Sequence, residues 1–563
     1  MKWNILNKAK NSKDAMKNIL KYKNMTKEQI LNFINFNISI NNPFSLTNMD
    51  KAINRIISAI NNKETITIIG DYDVDGICST MVMYLTLKDL TKTLYIIPDR
   101  FKNGYGISND LINMAKENNT NLIITVDNGI KAHEQVKYAN LLGIDVLISD
   151  HHAFEDDLLP TPITINPQID NNYPFKDICG CMVAFKICQA LKYTIKEQQL
   201  NNTLNGECKE LYANNLLNNE LNDELIIFVC LATIADVMPL INENRFYVNK
   251  GLKLINNKNT NIGLKELIKE LNINNVTSND IGFYIAPCIN AAGRLESPNL
   301  VMDLLLNEDF VECNKQAKYL IDLNNKRKDI QKQILNNLVV NEDDNFIIAK
   351  IDDNLSGIAG IIAGNVVEKY RKPCFCISEN NKSNILHGSG RSLGNYPINQ
   401  IVENNDFLSG GGHKQACGLK LESQYLDKLK DVCNKDYLKY LENNQDTNIE
   451  SIDIINEINF NIITDKLINN INKLQPFGYG NEQPLFCTKN VEIICSKIVG
   501  KNKNVIQFEL KQSNKIIKAI GFMNIINKFM KLNKNKIDII YSMNFNEYPK
   551  NVFTIQLLIK DIK

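Results

Sequence analysis

The chain has 563 residues, 44% of them hydrophobic and 23% charged, and its net charge is +1 at pH 7. This length predicts three or four domains of about 100–200 residues each, and the composition excludes a disordered or fibrous protein. The overall charge gives no sign of nucleic-acid binding, but residues 489–563 contain 14 Lys and only 5 Asp or Glu. That segment fits a phosphate-binding appendage, and it equally fits lysine bias on a solvated surface.

The 14 cysteines form no CxxC motif, and most of them lie in apolar runs. This pattern favours buried thiols in a reducing compartment over zinc sites or disulfides. No stretch approaches the roughly 18 uninterrupted apolar residues of a membrane span. We therefore expect a soluble cytoplasmic protein that acts as a monomer and does not bind membranes.

The predicted elements change character along the chain. The first 50 residues or so are helical and basic, and Thr26-Lys27-Glu28-Gln29 is typical of a helix start. From about residue 64, short Ile, Val and Leu runs alternate with amphipathic segments, which predicts a parallel sheet with crossover helices. Val311–Val339 has helical periodicity without Gly or Pro, which predicts one long helix joining two domains. A second α/β region follows, and short alternating runs after about residue 455 predict an OB-like β-barrel.

Three of the first four predicted strands end in side chains that bind divalent metals. In an open α/β sheet, ligands bind outside the carboxyl ends of the strands, so five carboxylates and two imidazoles would share one crevice. Hard oxygen ligands with a few nitrogens suit Mn²⁺ or Mg²⁺, and two such ions commonly hydrolyse phosphodiesters. The predicted strands are Thr65–Ile69, Thr93–Ile97, Leu122–Val126 and Asp145–Ser149, and the three clusters are Asp71–Gly76, Asp127–Gly129 and Asp150–His152.

The first cluster places Asp71, Asp73 and Asp75 at alternate positions. In an extended backbone their side chains would project to one side, and Gly76 would let the chain turn away. Three carboxylates this close repel one another unless a cation compensates them, although a solvated acidic turn is the alternative. An EF-hand is disfavoured because a strand precedes the cluster and Val82 stands where the calcium loop needs Glu.

Asp236 lies in the largely apolar stretch Leu231–Leu240. A carboxylate there must be paired, hydrogen-bonded or bound to a metal, or else it caps the start of a helix.

Two glycine clusters later in the chain, Gly388–Ser392 and Gly410–His413, are candidates for phosphate binding. Glycines let backbone N–H groups approach an anion, and the Arg391 guanidinium can bind it in a bidentate way.

Together these residues resemble the DHH phosphoesterase superfamily, and within it the RecJ family of single-strand-specific DNA exonucleases. The resemblance covers about residues 60–563, and Ser149–His152 is the DHH signature itself. The further motifs are Asp71–Gly76, Pro98–Arg100, Gly104–Gly106, Val126–Gly129, Cys179–Lys186, Ala232–Leu240, Asn290–Arg294, Gly388–Ser392, Gly410–Gly418 and Leu474–Asn481.

The resemblance implies an α/β fold in which a parallel-sheet DHH catalytic domain is joined by a long helix to a smaller α/β DHH-associated domain, followed by an OB-like β-barrel. The implied domains are an N-terminal helical segment (1–55), the catalytic domain (56–310), the connecting helix (311–340), the substrate-binding DHH-associated domain (341–445) and the nucleic-acid-binding barrel (450–563). In the barrel, the candidates for base stacking are Phe508, Phe522, Phe545 and Tyr548.

The resemblance also implies a site with two Mn²⁺ ions, with Mg²⁺ as the alternative, in which Asp127 bridges the ions. One ion would be bound by Asp73 and Asp127, with Asp71 where relatives place Asp or His. The second would be bound by Asp75, Asp127, His151 and Asp236. His152 would orient the site or contact the scissile phosphate. The residues implied to bind substrate are Arg100, Tyr105, Asn290, Arg294, Ser389, Arg391 and His413.

The implied activity is two-metal hydrolysis of single-stranded DNA, from 5′ to 3′, in DNA repair and recombination. A single-strand-binding protein and a RecQ-type helicase are the implied partners. Two alternatives remain: a small-nucleotide phosphodiesterase of the same superfamily, such as an oligoribonuclease, and a non-catalytic DNA-binding relative. The second is disfavoured because such relatives lose metal ligands that this chain keeps.

Three positions depart from the family pattern. Cys288 stands where relatives usually have Arg, the stretch Asp352–Ser356 lacks a His often found there, and Cys181-Met182 replaces small residues. These departures leave the predicted metal ligands intact and bear on substrate binding.

Overall fold

The structure is a computed structural model of the chain, and two compact units make it up, Ile40–Asn448 and Met1–Ser39 with Ile449–Lys563. No helix in the described part of the chain is both long and apolar enough to cross a membrane. The residues described are 2–100, 102–104, 106–153, 158–169, 172–201, 223–257, 260–338, 340–341, 344–379, 384–444, 451–500, 503–532, 534–546 and 554–563. The Asn-rich stretch 202–222 lies outside them.

The N-terminal part of the larger unit is built on a parallel sheet. Its strands have buried, β-branched sequences, as expected when helices cover both faces. The chain leaves Thr65–Ile69 toward one edge and then crosses to its other side, so the ends of Thr65–Ile69 and Thr120–Val126 flank a topological switch point, where ligands bind. The strand order is Thr93–Ile96, Thr65–Ile69, Thr120–Val126, Asp145–Ser149 and Thr164–Ile165, which confirms the four predicted strands.

The predicted long helix is confirmed as Phe310–Asn337, whose start is capped by the Asp309 carboxylate. The other helices of this unit are Met49–Asn61, Val74–Leu87, Asn109–Glu117, His133–Leu141, Gly180–Asn201, Asp223–Ala235, Asn242–Asn256, Ile262–Glu270, Ser278–Asp280, Ala286–Leu295, Asn299–Leu306, Ala359–Tyr370, Asn399–Glu403 and Leu426–Asn443, with a π-helical turn at Ile281–Ile285 and 3₁₀ turns at Pro43–Ser45, Pro167–Ile169, Asp353–Ile358 and Ser423–Tyr425.

A second, mostly antiparallel sheet follows the long helix. It contains the two glycine clusters within strands. Ile385–Arg391 pairs with a strand on each side, so its backbone N–H groups do not form the predicted cradle for phosphate. Leu408–His413 is an edge strand that pairs on one side only. A Cβ on Gly388 would lie 2.5 Å from the Ile377 Cδ1, so a larger residue there would require that side chain to shift. The strand order is Leu408–His413, Ala416–Glu422, Ile385–Arg391, Cys374–Glu379 and Ile347–Asp352.

The smaller unit contains the predicted β-barrel, which closes because its first strand pairs with both neighbours. Its strands in order are Phe486–Val499, Val505–Gln512, Lys515–Phe522, Thr554–Ile562 and Lys536–Asn546, with Asn456–Glu457 at the edge. Its helices are Ser12–Tyr22, Lys27–Asn35, Asp465–Asn472 and Met523–Leu532, with a 3₁₀ turn at Phe460–Ile462.

The N-terminal residues belong to this barrel unit. Thr26 caps Lys27–Asn35 in a complete capping box with Gln29, as the sequence predicts. The sequence did not predict the strand Lys2–Ile5, which pairs in parallel with Ser451–Ile454. Side chains of the N-terminal helices share the hydrophobic core of the barrel.

One predicted stacking residue of the barrel is misassigned. Phe508 is 1% exposed and packs edge-on against Phe529, so it belongs to the core. Phe545 is partly buried against the same core, whereas Phe522 is 49% exposed. Tyr548 lies outside the described residues.

Candidate active site

The first acidic cluster bends from strand into helix. Helix Val74–Leu87 begins inside the cluster, and Asp73 caps it by accepting the Gly76 N–H at 3.1 Å. The prediction of three carboxylates along one extended segment is therefore wrong, because Asp75 lies in the first helical turn. A Cβ on Gly76 would lie 2.5 Å from the Asp71 nitrogen, so this glycine lets the helix approach the strand end closely.

Asp75 is held by the start of a second helix, Gly180–Asn201. Its Oδ2 accepts the Gly180 N–H at 2.8 Å and its Oδ1 accepts the Cys181 N–H at 2.7 Å. Helix N-termini favour carboxylates, but burial prevails here and raises the pKa of Asp75. Because backbone groups make these contacts, the departure at Cys181 leaves them in place.

Asp127 follows its strand in a left-handed conformation, with φ at 63°. Asp tolerates this region better than most residues, and such conformations cluster at functional sites. Asn128 fixes the turn, because its Nδ2 donates to the carbonyl oxygens of Ile69 at 3.2 Å and Gly70 at 3.0 Å on the neighbouring strand. The sequence analysis gave Asn128 no role of its own; its position directly after Asp127 was the available clue.

Gly180 makes room for Asp127, since a Cβ on Gly180 would lie 2.5 Å from the Asp127 Oδ1. We expect Gly180→Ala to displace this carboxylate and weaken Mn²⁺ binding by about 10–100-fold, as measured by titration calorimetry. Gly364→Ala is the matched control. Gly364 lies in a different helix, Ala359–Tyr370, and no heavy atom comes within 4 Å of the position its Cβ would take. Equal Mn²⁺ affinity of the two variants would contradict this role of Gly180.

Asp150 belongs to none of the potential metal-binding groups of the described residues, although the sequence grouped it with metal-seeking residues. Its Oδ1 accepts the His151 N–H at 2.7 Å and lies 2.7 Å from the His152 Nδ1, while its Oδ2 accepts the Ile130 N–H at 2.9 Å. Burial opposes ionisation of Asp150, but the hydrogen bond and charge of His152 outweigh it and lower the Asp150 pKa. Asp150 therefore orients His152.

The contact with Asp150 favours the protonated form of His152. Burial alone would lower its pKa, but the hydrogen bond to Asp150 and that carboxylate's charge raise the pKa of His152 to about 9. In the metal-free protein, His152 is therefore charged near neutral pH, whereas burial chiefly lowers the pKa of His151.

His151 is the point where the predicted ligands of the second ion converge. Its Nε2 lies 3.2 Å from the Asp127 Oδ1 and 3.7 Å from the Oδ2 atoms of Asp75 and Asp236. Asp236 follows the end of helix Asp223–Ala235, so the alternative of a helix N-cap is wrong. At that end the helix dipole disfavours a carboxylate, which adds to the need for a cation.

The carboxylates of the cluster repel one another. Burial, reinforced by neighbouring carboxylates, raises the pKa of Asp71 and Asp127 well above the ordinary value, and that of Asp236 to about 8. The Asp71 Oδ1 and the Asp236 Oδ2 are buried without a hydrogen-bond partner. A divalent cation relieves both the repulsion and the unsatisfied oxygens.

Three groups of ligand atoms in the described part of the chain can hold a metal ion, with the atoms of each group within 4.8 Å of one another. Carboxylate oxygens with imidazole nitrogens suit Mn²⁺ and Mg²⁺. The groups are Asp71, Asp73 and Asp127; Asp75, His151 and Asp236; and Asp127, His151 and His152.

The raised pKa of Asp236 predicts how the stability of the metal-free protein depends on pH. A carboxyl group with a raised pKa in the folded state adds stability that is fully present below 3.8 and lost as the pH rises through about 8. We expect the melting temperature in chelator to fall across this window and Mn²⁺ to restore it at the upper end. Asp236→Asn should flatten the fall; an unchanged slope in that variant would contradict the assignment.

The metal-ligand candidates line a cavity of about 230 Å³. Three of the predicted substrate-binding residues line it as well, namely Arg100, Asn290 and Arg294. The Arg100 guanidinium lies 5.0 Å from the Tyr72 ring centroid. The Asn290 Oδ1 accepts the Val74 N–H at 3.1 Å, so Asn290 also supports the helix that carries Asp75. Burial, with Arg100 nearby, lowers the pKa of Arg294 to about 10.

The predicted residues of the second sheet lie outside the lining of this cavity. The Arg391 Nη1 donates to the Ser389 Oγ at 3.3 Å, and both side chains are half-buried. Burial chiefly lowers the pKa of Arg391, and the charge of Arg100 contributes to this. His413 is exposed at the end of an edge strand, and Tyr105 lies outside the described residues.

Cys288, one of the departures from the family pattern, is fully buried. The Asn324 Nδ2 donates to the Cys288 Sγ at 3.3 Å, and the Arg327 Nε donates to the Asn324 Oδ1 at 3.1 Å. The Arg327 guanidinium of the long helix is thus connected to Cys288 through the Asn324 side chain.

Comparison with known proteins places this site in a family. Models of the DHH family N-terminal domain, the DHHA1 domain and the RecJ OB domain match residues 65–214, 343–437 and 454–561. The single-stranded-DNA-specific exonuclease RecJ of Bacillus subtilis is 31% identical over 531 residues, which span 92% of this chain and 64% of that protein, less than two thirds of its length. The RecJ of Escherichia coli is 31% identical over 409 residues, 68% of each chain.

Crystal structures of RecJ from Thermus thermophilus show the same fold. The complex with Mn²⁺ has a TM-score of 0.79 at 20% identity, covering 100% of this chain and 79% of that one. The complex with Mg²⁺ has a TM-score of 0.74 at 19% identity, covering 100% and 78%. With the domain models in the same order and relatives above 30% identity, the chain belongs to the RecJ family of the DHH superfamily.

Proposed function

We propose that this chain is a metal-dependent exonuclease that degrades single-stranded DNA, from 5′ to 3′, by two-metal phosphodiester hydrolysis in DNA repair and recombination. The observation that carries the proposal is the position of Asp127, which belongs to one ligand group with Asp71 and Asp73. Its Oδ1 also lies 3.2 Å from the Nε2 of His151, which belongs to a second group with Asp75 and Asp236. A carboxylate shared in this way suits two adjacent ions. The relatives named as single-stranded-DNA-specific exonucleases support the substrate class.

The proposed ligands follow from these groups. One ion would be held by Asp71, Asp73 and Asp127, and the other by Asp75, Asp127, His151 and Asp236. Bound there, divalent ions would supply Lewis acidity and a nucleophile at neutral pH. The residues around them fix the geometry, because backbone N–H groups hold Asp75 and the Asn128 side chain holds the turn at Asp127.

The cationic residues would bind the phosphates. Arg100 and Arg294 line the cavity of the ligand cluster, and the charged His152 would donate a hydrogen bond to a phosphate oxygen. Further contacts would come from Asn290 in the cavity lining, from Ser389, Arg391 and His413 of the second sheet, and from Tyr105.

The proposal extends to location and partners. A monomer in the cytoplasm, assisted by a single-strand-binding protein and a RecQ-type helicase, is consistent with the family and with the 13 described cysteines being free thiols. The domain limits 56–310, 311–340 and 341–445 also remain part of the proposal.

The test uses DNA labelled at the 5′ or 3′ end, as single strand and as duplex, with Mn²⁺. We expect rapid degradation of the single strand, slow degradation of the duplex, and immediate release of a 5′ label but not of a 3′ label. Chelator should stop the reaction. Slow or equal degradation of both DNAs, alongside rapid cleavage of dinucleotides, would replace the proposal with an oligoribonuclease-type function.

A further inference from the structure

Two aromatic side chains lie exposed beside the candidate active site. Phe283 and Tyr284 are 72% and 52% exposed, although Phe is among the residues most often buried in folded proteins. They occupy the π-helical turn Ile281–Ile285, a widened helical turn that is frequent at functional sites. The metal cluster and the phosphate-binding residues account for neither ring.

The π-helical turn packs against helix Asp223–Ala235, which Asp236 directly follows. A Cβ on Gly282 would lie 3.8 Å from the Ile234 Cγ2, two residues before that carboxylate. Val237, directly after Asp236, is 64% exposed and has φ at 55°, which is a strained conformation for a β-branched residue. An exposed apolar surface therefore borders the metal cluster on this side.

The same surface continues toward the phosphate-binding wall. The π-helical turn runs directly into helix Ala286–Leu295. In this helix Pro287, Asn290 and Arg294 are half-buried, whereas Ala286, Cys288 and Ile289 are buried. One open face thus leads from Phe283 to Asn290 and Arg294 in the cavity. At about 1.5 Å per residue, Phe283 lies about 10 Å from Asn290 along the helix.

We infer that Phe283 and Tyr284 form a stacking platform for nucleobases of the strand whose phosphate lies at the metal cluster. This inference rests on the proposed function and names the groups that hold the bases. Continuity of the open face supports it, because cationic and polar groups at one end suit phosphates and exposed rings at the other end suit bases. Stacking tolerates every base, as a nuclease without sequence preference requires.

The test measures KM and kcat for a 5′-labelled single-stranded oligonucleotide with Mn²⁺. Phe283→Ala and Tyr284→Ala should each raise KM about tenfold, the loss expected for one stacked base. In the wild type, abasic sites near the 5′ end should raise KM by a similar factor. In the alanine variants the same abasic sites should add little, because the ring and the base form one interaction.

Conservative and distant variants separate stacking from folding. Phe283→Tyr and Tyr284→Phe keep a ring and should keep the wild-type KM. Phe310→Ala removes another exposed ring, 53% exposed, from the start of the long helix and should leave KM unchanged. Melting temperatures should stay close to that of the wild type, since surface substitutions change stability little.

Several outcomes overturn the inference while leaving the proposed function intact. One is an unchanged KM in both alanine variants of an enzyme that degrades single-stranded DNA. Another is a full additional effect of the abasic sites in those variants, which would assign the surface to something other than bases, such as a protein partner. If the wild type degrades no single-stranded DNA, the proposed function itself fails.

Discussion

Asp127→Ala is expected to lower kcat on single-stranded DNA by about 10⁴-fold or more, while the Kd for the strand changes only a few-fold. Asp127 belongs to two ligand groups, and its Oδ1 lies 3.2 Å from the His151 Nε2, so its loss removes a ligand from both proposed ions. The arginines and the barrel proposed to hold the strand are untouched. Single-turnover rates and fluorescence anisotropy with labelled DNA measure the two quantities separately.

Asp127→Asn is the sharper variant, because Asn has the same size and also tolerates the φ of 63° at this position. It should be nearly as inactive as Asp127→Ala, which would assign the loss to the missing charge and not to the backbone. Asp110→Asn, at an exposed position in the first turn of helix Asn109–Glu117, should behave as wild type. A near-normal rate for Asp127→Asn at saturating Mn²⁺ would disprove the bridging role.

Lys186→Met is expected to destabilise the larger unit by about 3–5 kcal/mol. The Lys186 Nζ lies 2.6 Å from the Glu243 Oε2, and both side chains are 0% exposed. Tyr173 and Asn41 donate hydrogen bonds to the other carboxylate oxygen at 2.6 Å and 2.9 Å. Removing only the lysine leaves a buried carboxylate without its counter-charge, and urea denaturation followed by circular dichroism should measure the loss.

Two comparisons test this explanation. Adding Glu243→Gln to Lys186→Met should recover part of the stability, because the uncompensated charge is then gone. The exposed pair of Lys137 and Glu134, 2.7 Å apart, provides the control, and Lys137→Met should cost less than about 1 kcal/mol. Equal costs for the buried and exposed pairs would contradict the argument.

The strand ends of the active site were predictable because buried β-branched runs stop abruptly at acidic residues. The shape of the first cluster was not. Asp-x-Asp-x-Asp-Gly alternates with the period of a strand, yet Asp73 caps a helix and Asp75 lies within it. The preference of Asp for helix N-caps was the competing tendency, and it prevailed because the apolar residues after Gly76 bury a helix.

Other features depend on contacts that residue type alone does not reveal. Asp150 and Asp127 both follow strands, but only tertiary structure shows that one carboxylate turns toward His152 and the other toward His151. The need for Gly180 arises from a helix that approaches Asp127 from a distant part of the chain. The burial of Phe508 was predictable, because residues two apart in a strand lie on the same face, and Phe508 shares the inner face with Ile506 and Leu510.

The parallel pairing of Lys2–Ile5 with Ser451–Ile454 has a consequence for how the protein is made. The Trp3 Nε1 donates to the Asp561 Oδ2 at 2.8 Å, across 558 positions of sequence. During synthesis, residues 1–39 cannot pack into their core until the ribosome has made residues 449–563. The larger unit, residues 40–448, is complete before that point and can already fold. A fragment starting near residue 450 would therefore lack part of its own core, and soluble expression of the barrel should require residues 1–39 supplied by fusion or as a separate peptide.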